Sequence, residues 1–208
     1  MAERIIVFGA GDHAKVVVET VLASRPDRQI VLLDDAERKK GLTIFGIAVS
    51  GGREQLDSLR TVPVALGIGD NRARSALLRW LTEQGRALET LIHPSATVSN
   101  SVKIGEGAFL GAGAIAIADA RIGAGAIVNT GATVDHDCEL GVASHIGPGV
   151  HLCGNVRVGD RTLIGVGSAV KPGISIAGDV VVGAGAVVVR DIDLPGTYAG
   201  NPARQLKL

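Results

Sequence analysis

Residues 122–146 read IGAGAIVNTGATVDHDCELGVASHI, and in this stretch a large aliphatic residue recurs at every sixth position. The same spacing runs from Val98 to Val188, where fifteen of sixteen such positions are Ile, Leu or Val and the remaining one is Ala116. A six-residue period matches neither an amphipathic helix nor an alternating strand. It is typical of a triangular solenoid, in which each side of a coil is a short strand with one large side chain pointing inward.

A second inward position supports this interpretation. The residue two places before each large aliphatic is small or β-branched throughout, as in Ala126, Ala132, Cys138 and Ser144. Three sides make a coil, so residues i and i+18 should stack at about 4.8 Å, the spacing of paired strands. The pattern predicts about five coils.

The overall composition argues against several classes of protein. The formal net charge of the 208 residues is zero and no basic run is present, which disfavours binding to nucleic acid or to an anionic membrane surface. We see no secretory signal and no run of about 20 apolar residues, so we expect a cytoplasmic protein without membrane insertion. Cys138 and Cys153 do not make a disulfide framework. The spacing of His, Cys and acidic residues predicts no metal site.

The first part of the chain has a different pattern, in which apolar strands alternate with helices. We predict strands over 4–8, 29–33, 63–69 and 88–92, and helices after residue 11 and over 71–85. This order predicts a parallel sheet that binds ligands at the carboxyl ends of its strands. The chain therefore divides into an α/β Rossmann-like half domain, residues 1–94, and an all-β solenoid with a C-terminal tail, residues 95–208.

A glycine-rich turn joins the first strand to the first helix. Gly9, Gly11 and Ala14 have the spacing of a dinucleotide fingerprint, and Asp34 follows about 25 residues after Gly9. Such glycines let a backbone approach a phosphate, which a helix N-terminus also favours, and His13 is placed to donate to it. Because no second mononucleotide-binding half follows, a nucleotide or nucleotide sugar is favoured over NAD. A purely structural turn is the other interpretation.

His136 is the histidine whose position favours chemistry. It lies two residues past Val134, at a corner of the solenoid, and its neighbours one coil away are the small residues Ala118 and Gly154. Asp137 follows it, and a carboxylate beside an imidazole fixes its tautomer and raises its basicity, as a general base near neutral pH requires. The alternative interpretation is an ordinary surface histidine.

His145 lies on an outward face, half a coil away from His136. The filled prism separates the two, so a site that uses both must form between subunits. The face beside His145 also carries Ile127 and Leu163, an apolar strip that we expect subunit packing to cover. A three-fold arrangement of prisms can bring His136 of one chain near the His145 face of its neighbour.

Several short motifs occur together between Ile6 and Ala203. They are GAGDHAK at 9–15, Asp34-Asp35, GIGDN at 67–71, LIHPSA at 91–96, Asn129-Thr130, His136-Asp137, His145 and PGTYAGNPA at 195–203. In combination they resemble the sugar acetyltransferases of the NeuD/PglD type, hexapeptide-repeat acyltransferases with an N-terminal nucleotide-sugar-binding domain. The resemblance implies a left-handed parallel β-helix, a homotrimer, acetyl-CoA as co-substrate and a nucleotide-linked sugar as acceptor.

The resemblance also implies roles for individual residues. The histidine matching His136 is the catalytic base, and Asp137 stands where a Glu is common as the acid that orients it. The histidine matching His145 contacts acetyl-CoA, and further positions along the CoA path match Gly154, Val166 and Ala184. The positions that match the acceptor site are Gly11, His13, Asp34, Asp35, Gly69, Asn71 and, near the sugar, Asn129.

The function implied is N-acetylation of a 4-amino-4,6-dideoxy sugar carried on UDP or GDP, in the biosynthesis of a polysaccharide or glycan. In this scheme the acceptor amine attacks the thioester directly while His136 removes a proton. O-acetylation of a sialic acid or a related sugar is the close alternative, because the same histidine can activate a hydroxyl. A sugar-nucleotide-binding scaffold without activity and an NAD-binding regulatory protein are rivals from other classes.

Overall fold

The apolar segments near the start of the chain form a mostly parallel sheet in the computed structural model, which describes residues 3–206. Its strands are β1 (Arg4–Phe8), β2 (Gln29–Leu33), β3 (Thr43–Ile44), β4 (Ile47–Gly51) and β5 (Val64–Leu66), in the spatial order β3-β4-β2-β1-β5. Strand β1 pairs in parallel with β2 and β5, and β2 pairs in parallel with β4. The carboxyl ends of these four strands therefore meet at one edge, where ligands bind in such sheets.

Two helices cover this sheet, because each has an apolar stripe at helical spacing. Helix α1 (Asp12–Ser24) buries Ala14, Val17, Val18 and Val21, and helix α2 (Asn71–Glu83) buries Leu77, Leu78 and Leu81. The side chain of Asp70 caps α2 by accepting a hydrogen bond from the Ala73 N–H at 2.8 Å. The remaining helical turns are short 3₁₀ segments, Glu37–Lys39, Arg53–Gln55 and Asp57–Leu59.

The β3–β4 hairpin was not predicted from the sequence. Its two-residue turn consists of Phe45 and Gly46, whose φ angles are 49° and 79°. Positive φ at both central residues is the geometry of a tight hairpin turn that matches strand twist. The signal in the sequence was Gly46 between two short apolar runs, and Val49 on β4 is buried.

The β-helix has three faces, each a ladder of parallel two- or three-residue strands. The first face contains β7 (Thr97–Val98), β10 (Ile115–Ala116), β13 (Thr133–Val134), β16 (His151–Leu152), β19 (Ala169–Val170) and β22 (Val187–Val188). The second contains β8 (Lys103–Ile104), β11 (Arg121–Ile122), β14 (Glu139–Leu140), β17 (Arg157–Val158) and β20 (Ser175–Ile176). The third contains β6 (Leu91–Ile92), β9 (Phe109–Leu110), β12 (Ile127–Val128), β15 (His145–Ile146), β18 (Leu163–Ile164) and β21 (Val180–Val182), extended by β23 (Gly196–Ala199) and the antiparallel β24 (Arg204–Gln205).

The register confirms the predicted coil of 18 residues. Ile127 pairs with His145, and His145 pairs with Leu163. The large aliphatic positions and the small positions two residues earlier form one continuous buried cluster inside the prism. Cys138 is fully buried in that cluster, as its inward position predicts.

Contrary to our prediction, the fourth strand, 88–92, does not belong to the N-terminal sheet. Leu88 makes only an isolated bridge to Val64, whereas Leu91–Ile92 pairs with Phe109–Leu110 as the first rung of the third face. The spacing of 18 residues between Leu91 and Phe109 explains this, because it is the spacing of the coils.

The apolar strip on the third face is also covered differently from what we predicted. Phe109 and Ile127 are only 3% and 1% exposed, and they pack in the same buried cluster as Val17 and Val18 of α1. The chain's own N-terminal domain thus covers Ile127, which we had expected a neighbouring subunit to cover. Leu163, one coil further on, is partly buried.

Candidate active site

His136 lies in the turn between β13 and β14. The turns between the first and second faces form one edge of the β-helix, which we call the His136 corner. The turn is held by neighbouring coils, since the Asp137 N–H donates to the Ala118 carbonyl and the Asn155 N–H donates to the His136 carbonyl. The imidazole lies over Gly154, where a Cβ atom would overlap the ring. Half of the His136 side chain is exposed. The corner therefore presents an imidazole that a ligand can reach.

Asp137 orients this imidazole. Its Oδ2 is 2.8 Å from His136 Nδ1, so it accepts from an Nδ1–H and leaves the Nε2 lone pair free to take a proton. Asp137 has φ 58°, a left-handed conformation that Asp tolerates better than most residues, and in it the short side chain reaches the ring. The hydrogen bond to Asp137 raises the pKa of His136. The pair thus has the geometry of a general base.

His145 lies elsewhere, beneath the N-terminal domain. Asn129 Nδ2 donates to His145 Nε2 at 3.0 Å, and Gly69 lies against the side chain of His13. The ring centroids of His13 and His145 are 6.2 Å apart, and the ring of Phe109 is edge-on to His13. The structure therefore brings together four of the predicted site residues, Gly69, His13, Asn129 and His145.

Both of these histidines are neutral at pH 7. Burial lowers the pKa of His13 to about 3, with further contributions from His145 and Arg74. Burial also lowers the pKa of His145 to about 4, assisted by the charge of Arg74. Among residues 3–206, His13 Nε2 is buried without a hydrogen-bond partner. The low pKa values therefore make both side chains neutral imidazoles and not cations.

Acidification is expected to destabilise the fold as the pH falls from 6.5 towards 4, because the unfolded chain takes up protons on His13 and His145 that the folded protein resists. Their pKa values are lower in the folded state than in the unfolded state. The contribution of these two histidines to the free energy of unfolding is therefore complete above pH 6.5 and shrinks below it, by up to about 1.4 kcal/mol per pH unit for each histidine. Urea denaturation at several pH values measures the slope. It should be shallower in His13→Gln and His145→Gln than in His151→Gln, which removes an exposed histidine; three equal slopes would contradict the assignment.

A cavity of about 450 Å³ opens at the carboxyl edge of the N-terminal sheet. Its lining comprises Gly9, Gly11, Asp12, His13, Asp34, Lys39, Gly67, Ile68, Gly69 and Asp70. Helix α1 begins at this cavity, and no side chain in the described part of the chain caps its N-terminus. The unbonded N–H groups and the helix dipole favour an anion there. Four residues predicted for the acceptor, Gly11, His13, Asp34 and Gly69, line the cavity.

The two predicted carboxylates are already bonded within the protein. Asp34 accepts from the Ala10 N–H at 2.7 Å and from Lys39 Nζ at 2.8 Å, and Asp35 binds the Arg53 guanidinium through Oδ2. Burial alone would raise the pKa of Asp34, but the hydrogen bonds outweigh it and the pKa is lowered. Asp34 thus fixes the glycine turn, and sequence reasoning missed Lys39, which supplies the positive charge beside it.

Asn71 lies at the junction of the two domains. Its Nδ2 donates to the Arg161 carbonyl at 2.9 Å, and its Oδ1 accepts from Arg74 at 2.8 Å. It lines a second cleft of about 210 Å³ that shares Gly69 and Asp70 with the first cavity. The two cavities therefore adjoin at the domain boundary.

The residues predicted for the CoA path lie at two different corners. Gly154 is at the His136 corner, whereas Val166 and Ala184 follow strands of the third face. Val166 and Ala184 lie in turns between the third and first faces, and Asn129 lies in another turn of the same edge. We call this edge the Asn129 corner. Val166 is 53% exposed there. Within one chain, the first face separates Gly154 from Val166 and Ala184.

Within residues 3–206, no helix is long and apolar enough to cross a membrane. No group of three or more His, Cys, Asp or Glu side chains there is arranged to hold a metal ion.

Comparisons with known proteins agree with this architecture. Residues 4–81 match the family described as PglD N-terminal domain, and residues 101–136 and 155–190 match the hexapeptide repeat of succinyl-transferase. The chain is 37% identical over 116 residues to UDP-N-acetylbacillosamine N-acetyltransferase from Bacillus subtilis, a match that spans half of each protein.

Solved structures match nearly the whole chain, and two of them serve as examples. A variant of perosamine N-acetyltransferase from Caulobacter crescentus, in complex with CoA and GDP-perosamine, has 41% identity and a TM-score of 0.91, covering 100% of this chain and 98% of that one. The acetyltransferase domain of PglB from Neisseria gonorrhoeae, in complex with acetyl coenzyme A, has 41% identity and a TM-score of 0.93, covering 99% and 100%. With this identity and the same two-part fold, a Rossmann-like domain followed by a left-handed β-helix, the chain belongs to the NeuD/PglD-like family of acetyl-CoA-dependent sugar acetyltransferases.

Proposed function

We propose that this protein transfers the acetyl group of acetyl-CoA to the amine of a 4-amino-4,6-dideoxy sugar linked to UDP or GDP, with His136 as general base. The observation that carries the proposal is the imidazole of His136, which is held by Asp137 and accessible over Gly154. The perosamine N-acetyltransferase from Caulobacter crescentus is 41% identical over 98% of its chain, and its complex with CoA and GDP-perosamine supports an amino sugar as acceptor. We assign the protein to the cytoplasm, as an enzyme of glycan or polysaccharide synthesis.

The reaction requires one proton transfer and one acyl transfer. The acceptor nitrogen attacks the thioester carbonyl carbon, and Nε2 of His136 takes the proton that this nitrogen loses. The C–S bond then breaks, and the proton passes to the departing CoA sulfur. Asp137 stabilises the imidazolium that forms, which is the usual role of an acid bonded to Nδ1. Cys138 is unsuited as a nucleophile, because burial raises the pKa of its thiol to about 11.

A thiol-release assay tests this function. Acetyl-CoA is offered with UDP- and GDP-linked 4-amino sugars, and in parallel with sialic acid and CMP-sialic acid. We expect CoA release with at least one amino sugar and none with the two sialic acid acceptors. Release with sialic acid alone would instead identify an O-acetyltransferase, and no release with any acceptor would favour a sugar-nucleotide-binding scaffold.

The functional assembly we propose is a homotrimer with active sites between subunits. The outward strand residues of the first face carry no Lys, Arg, Asp or Glu, and they are Thr97, Ile115, Thr133, His151, Ala169 and Val187. Those of the second face are mostly charged, namely Lys103, Arg121, Glu139 and Arg157, with Ser175. The third face is covered over its first coils by the N-terminal domain. The first face is therefore the one best suited to face a three-fold axis.

This orientation supports a shared site. The His136 corner and the Asn129 corner are the two edges of the first face. When three first faces surround an axis, the His136 corner of one subunit lies beside the Asn129 corner of the next. CoA in the groove between them would contact Gly154 on one side and Val166 and Ala184 on the other, with His145 and the acceptor pocket beyond.

The acceptor nucleotide is assigned to the cavity at the start of α1, and Gly11 offers a clean test. A Cβ at Gly11 meets no atom of the described residues 3–206 within 4 Å, and its φ of −95° suits any residue. Gly11→Asp should therefore fold normally while placing a carboxylate where the phosphates bind. We expect the KM for the acceptor to rise about tenfold or more through charge repulsion, with CoA affinity unchanged.

Gly11→Asn is the matched control, because it has the same shape without the charge. Steady-state kinetics with varied acceptor, together with calorimetric titration of CoA, measure the two effects. Equal acceptor KM values for the Asp and Asn variants would exclude phosphate binding at this helix. Point changes are preferable to removing residues 1–94, since that removal would uncover Phe109 and Ile127.

A further inference from the structure

Arg74 is a buried cation at the junction of the two domains. Its side chain extends from the first turn of α2 and is only 1% exposed. Its contacts are six acceptors, namely the carbonyls of Gly125 (2.7 Å), Gly69 (2.8 Å), Ala143 (2.9 Å), Ile68 (3.1 Å) and Ser144 (3.2 Å), and Asn71 Oδ1 (2.8 Å). None of these groups is a carboxylate. The hydrogen-bond acceptors of the guanidinium are thus main-chain and amide oxygens, with the Asp70 carboxylate acting on it through charge only.

These acceptors come from both domains. Ile68 and Gly69 form a wall of the acceptor cavity, and Asn71 begins α2. Gly125 and Ala143 lie in turns between the second and third faces on successive coils, and Ser144 directly precedes His145. One planar group therefore joins the cavity wall to two coils of the β-helix.

The use of arginine here has a cost. Burial lowers the pKa of Arg74 to about 10, so it stays charged at neutral pH in a site where charge is disfavoured. An apolar side chain of similar volume would fill such a junction at lower cost. What arginine adds is a rigid fork of five donors, which fixes the relative positions of the groups it binds.

We propose that Arg74 is a positioning residue for the acyl transfer, which sets the acceptor cavity at a fixed distance and angle from the coil that carries His145. The proposal rests on the function proposed above. The guanidinium connects the two sides directly, because it binds the Gly69 carbonyl in the cavity wall and the Ser144 carbonyl next to His145. Loosening Arg74 should therefore move the cavity wall relative to His145, while His136, Gly154, Val166 and Ala184, which Arg74 does not bind, stay in place.

Replacement by Arg74→Met tests this, with Arg86→Met as the matched control. Arg86 is also buried and also binds only carbonyls, those of Leu56, Leu59 and Val62, but all of them lie within the N-terminal domain. We expect Arg74→Met to raise the acceptor KM about tenfold to a hundredfold, as misplacement of a bound reactant does. CoA affinity should change less than about twofold, and Arg86→Met should leave the acceptor KM within about threefold of wild type.

The pH profile provides a readout that loss of packing alone would not move. The titratable groups that Arg74 interacts with are His13 on α1, Asp70 before α2 and His145 on β15. Without the cation, the pKa values of both histidines should rise towards 6.5. The kcat/KM of Arg74→Met should then fall more steeply below neutral pH than that of wild type, whereas Arg86→Met should keep the wild-type profile.

Hydrogen exchange tests the proposal independently of activity. Backbone amides over 68–71 and 143–146 should exchange faster in Arg74→Met and not in Arg86→Met. If either Met variant fails to fold, Arg74→Lys and Arg86→Lys replace the pair. Unchanged exchange in both segments, or an equal rise in acceptor KM for the Arg74 and Arg86 variants, would overturn the assignment. Wild-type inactivity in the thiol-release assay would instead overturn the proposed function, and the exchange experiment would still decide the role of Arg74.

Discussion

His136→Ala is expected to lower kcat/KM by about 10² to 10⁴, the usual contribution of a positioned general base. The imidazole has one nitrogen bonded to Asp137, while the other points away from that bond and is free to accept a proton. Alanine removes the base and leaves the corner intact, because the hydrogen bonds that hold the turn use main-chain groups of Ala118 and Asn155. CoA release in the thiol assay measures the loss, and far-UV circular dichroism checks the fold.

Asp137→Asn is the graded control for this prediction. It keeps the imidazole and removes the carboxylate that raises the pKa of His136. A general base must be unprotonated, so kcat/KM rises with pH through the pKa of His136. Because Asp137→Asn lowers that pKa, the rise in kcat/KM should move to lower pH in this variant. The value of kcat/KM at high pH should fall less than in His136→Ala. Activity of His136→Ala within about threefold of wild type would remove His136 from the mechanism.

The β-helix was predictable from the sequence because its period is strict. A large aliphatic residue at every sixth position determines which side chains point inward and which residues pair one coil away. The pairing of Ile127 with His145 and of His145 with Leu163 followed from that spacing alone. The corner position of His136, and the small residue Gly154 as its neighbour one coil away, followed in the same way.

The N-terminal domain was predicted less completely, since its contacts are not periodic. Leu91 and Ile92 follow the domain in sequence and have the composition of a strand, but their partner was set by the coil spacing and not by the sheet. The cover over Ile127 depends on how α1 packs against the third face, which a linear pattern does not specify. The prediction that a neighbouring subunit covers Ile127 was therefore wrong.

The polar partners of the site were the least predictable part. Asp35 and Arg53 are separated by the β3–β4 hairpin, and Arg74 binds carbonyls more than 50 residues away in sequence. A carboxylate at a strand end indicates that a site is nearby, but the sequence does not reveal whether a ligand or an internal cation binds it. In this chain Lys39 and Arg53 are those internal cations.

Mixing two impaired variants is expected to restore activity if the active site is shared between subunits. His136→Ala removes the base on one side of the proposed groove, and Gly11→Asp blocks the acceptor cavity on the other. In random three-fold assemblies of equal amounts of the two, about a quarter of the sites would combine a native His136 with a native acceptor cavity. The thiol-release assay, run at an acceptor concentration well below the KM of Gly11→Asp, measures the recovery after subunit exchange.

The control mixes Gly11→Asp with His13→Ala, two changes on the same side of the groove. Every acceptor cavity is then defective, so no arrangement of subunits yields a complete site and activity should stay at the level of the separate variants. Mass spectrometry of isotope-labelled subunits establishes that exchange has occurred. If exchanged assemblies of His136→Ala and Gly11→Asp recover no more activity than this control, each active site lies within one chain, and the first face has no catalytic reason to face a three-fold axis. Recovery near a quarter would require His136 and the acceptor cavity to come from different subunits, because within a single chain neither variant holds both.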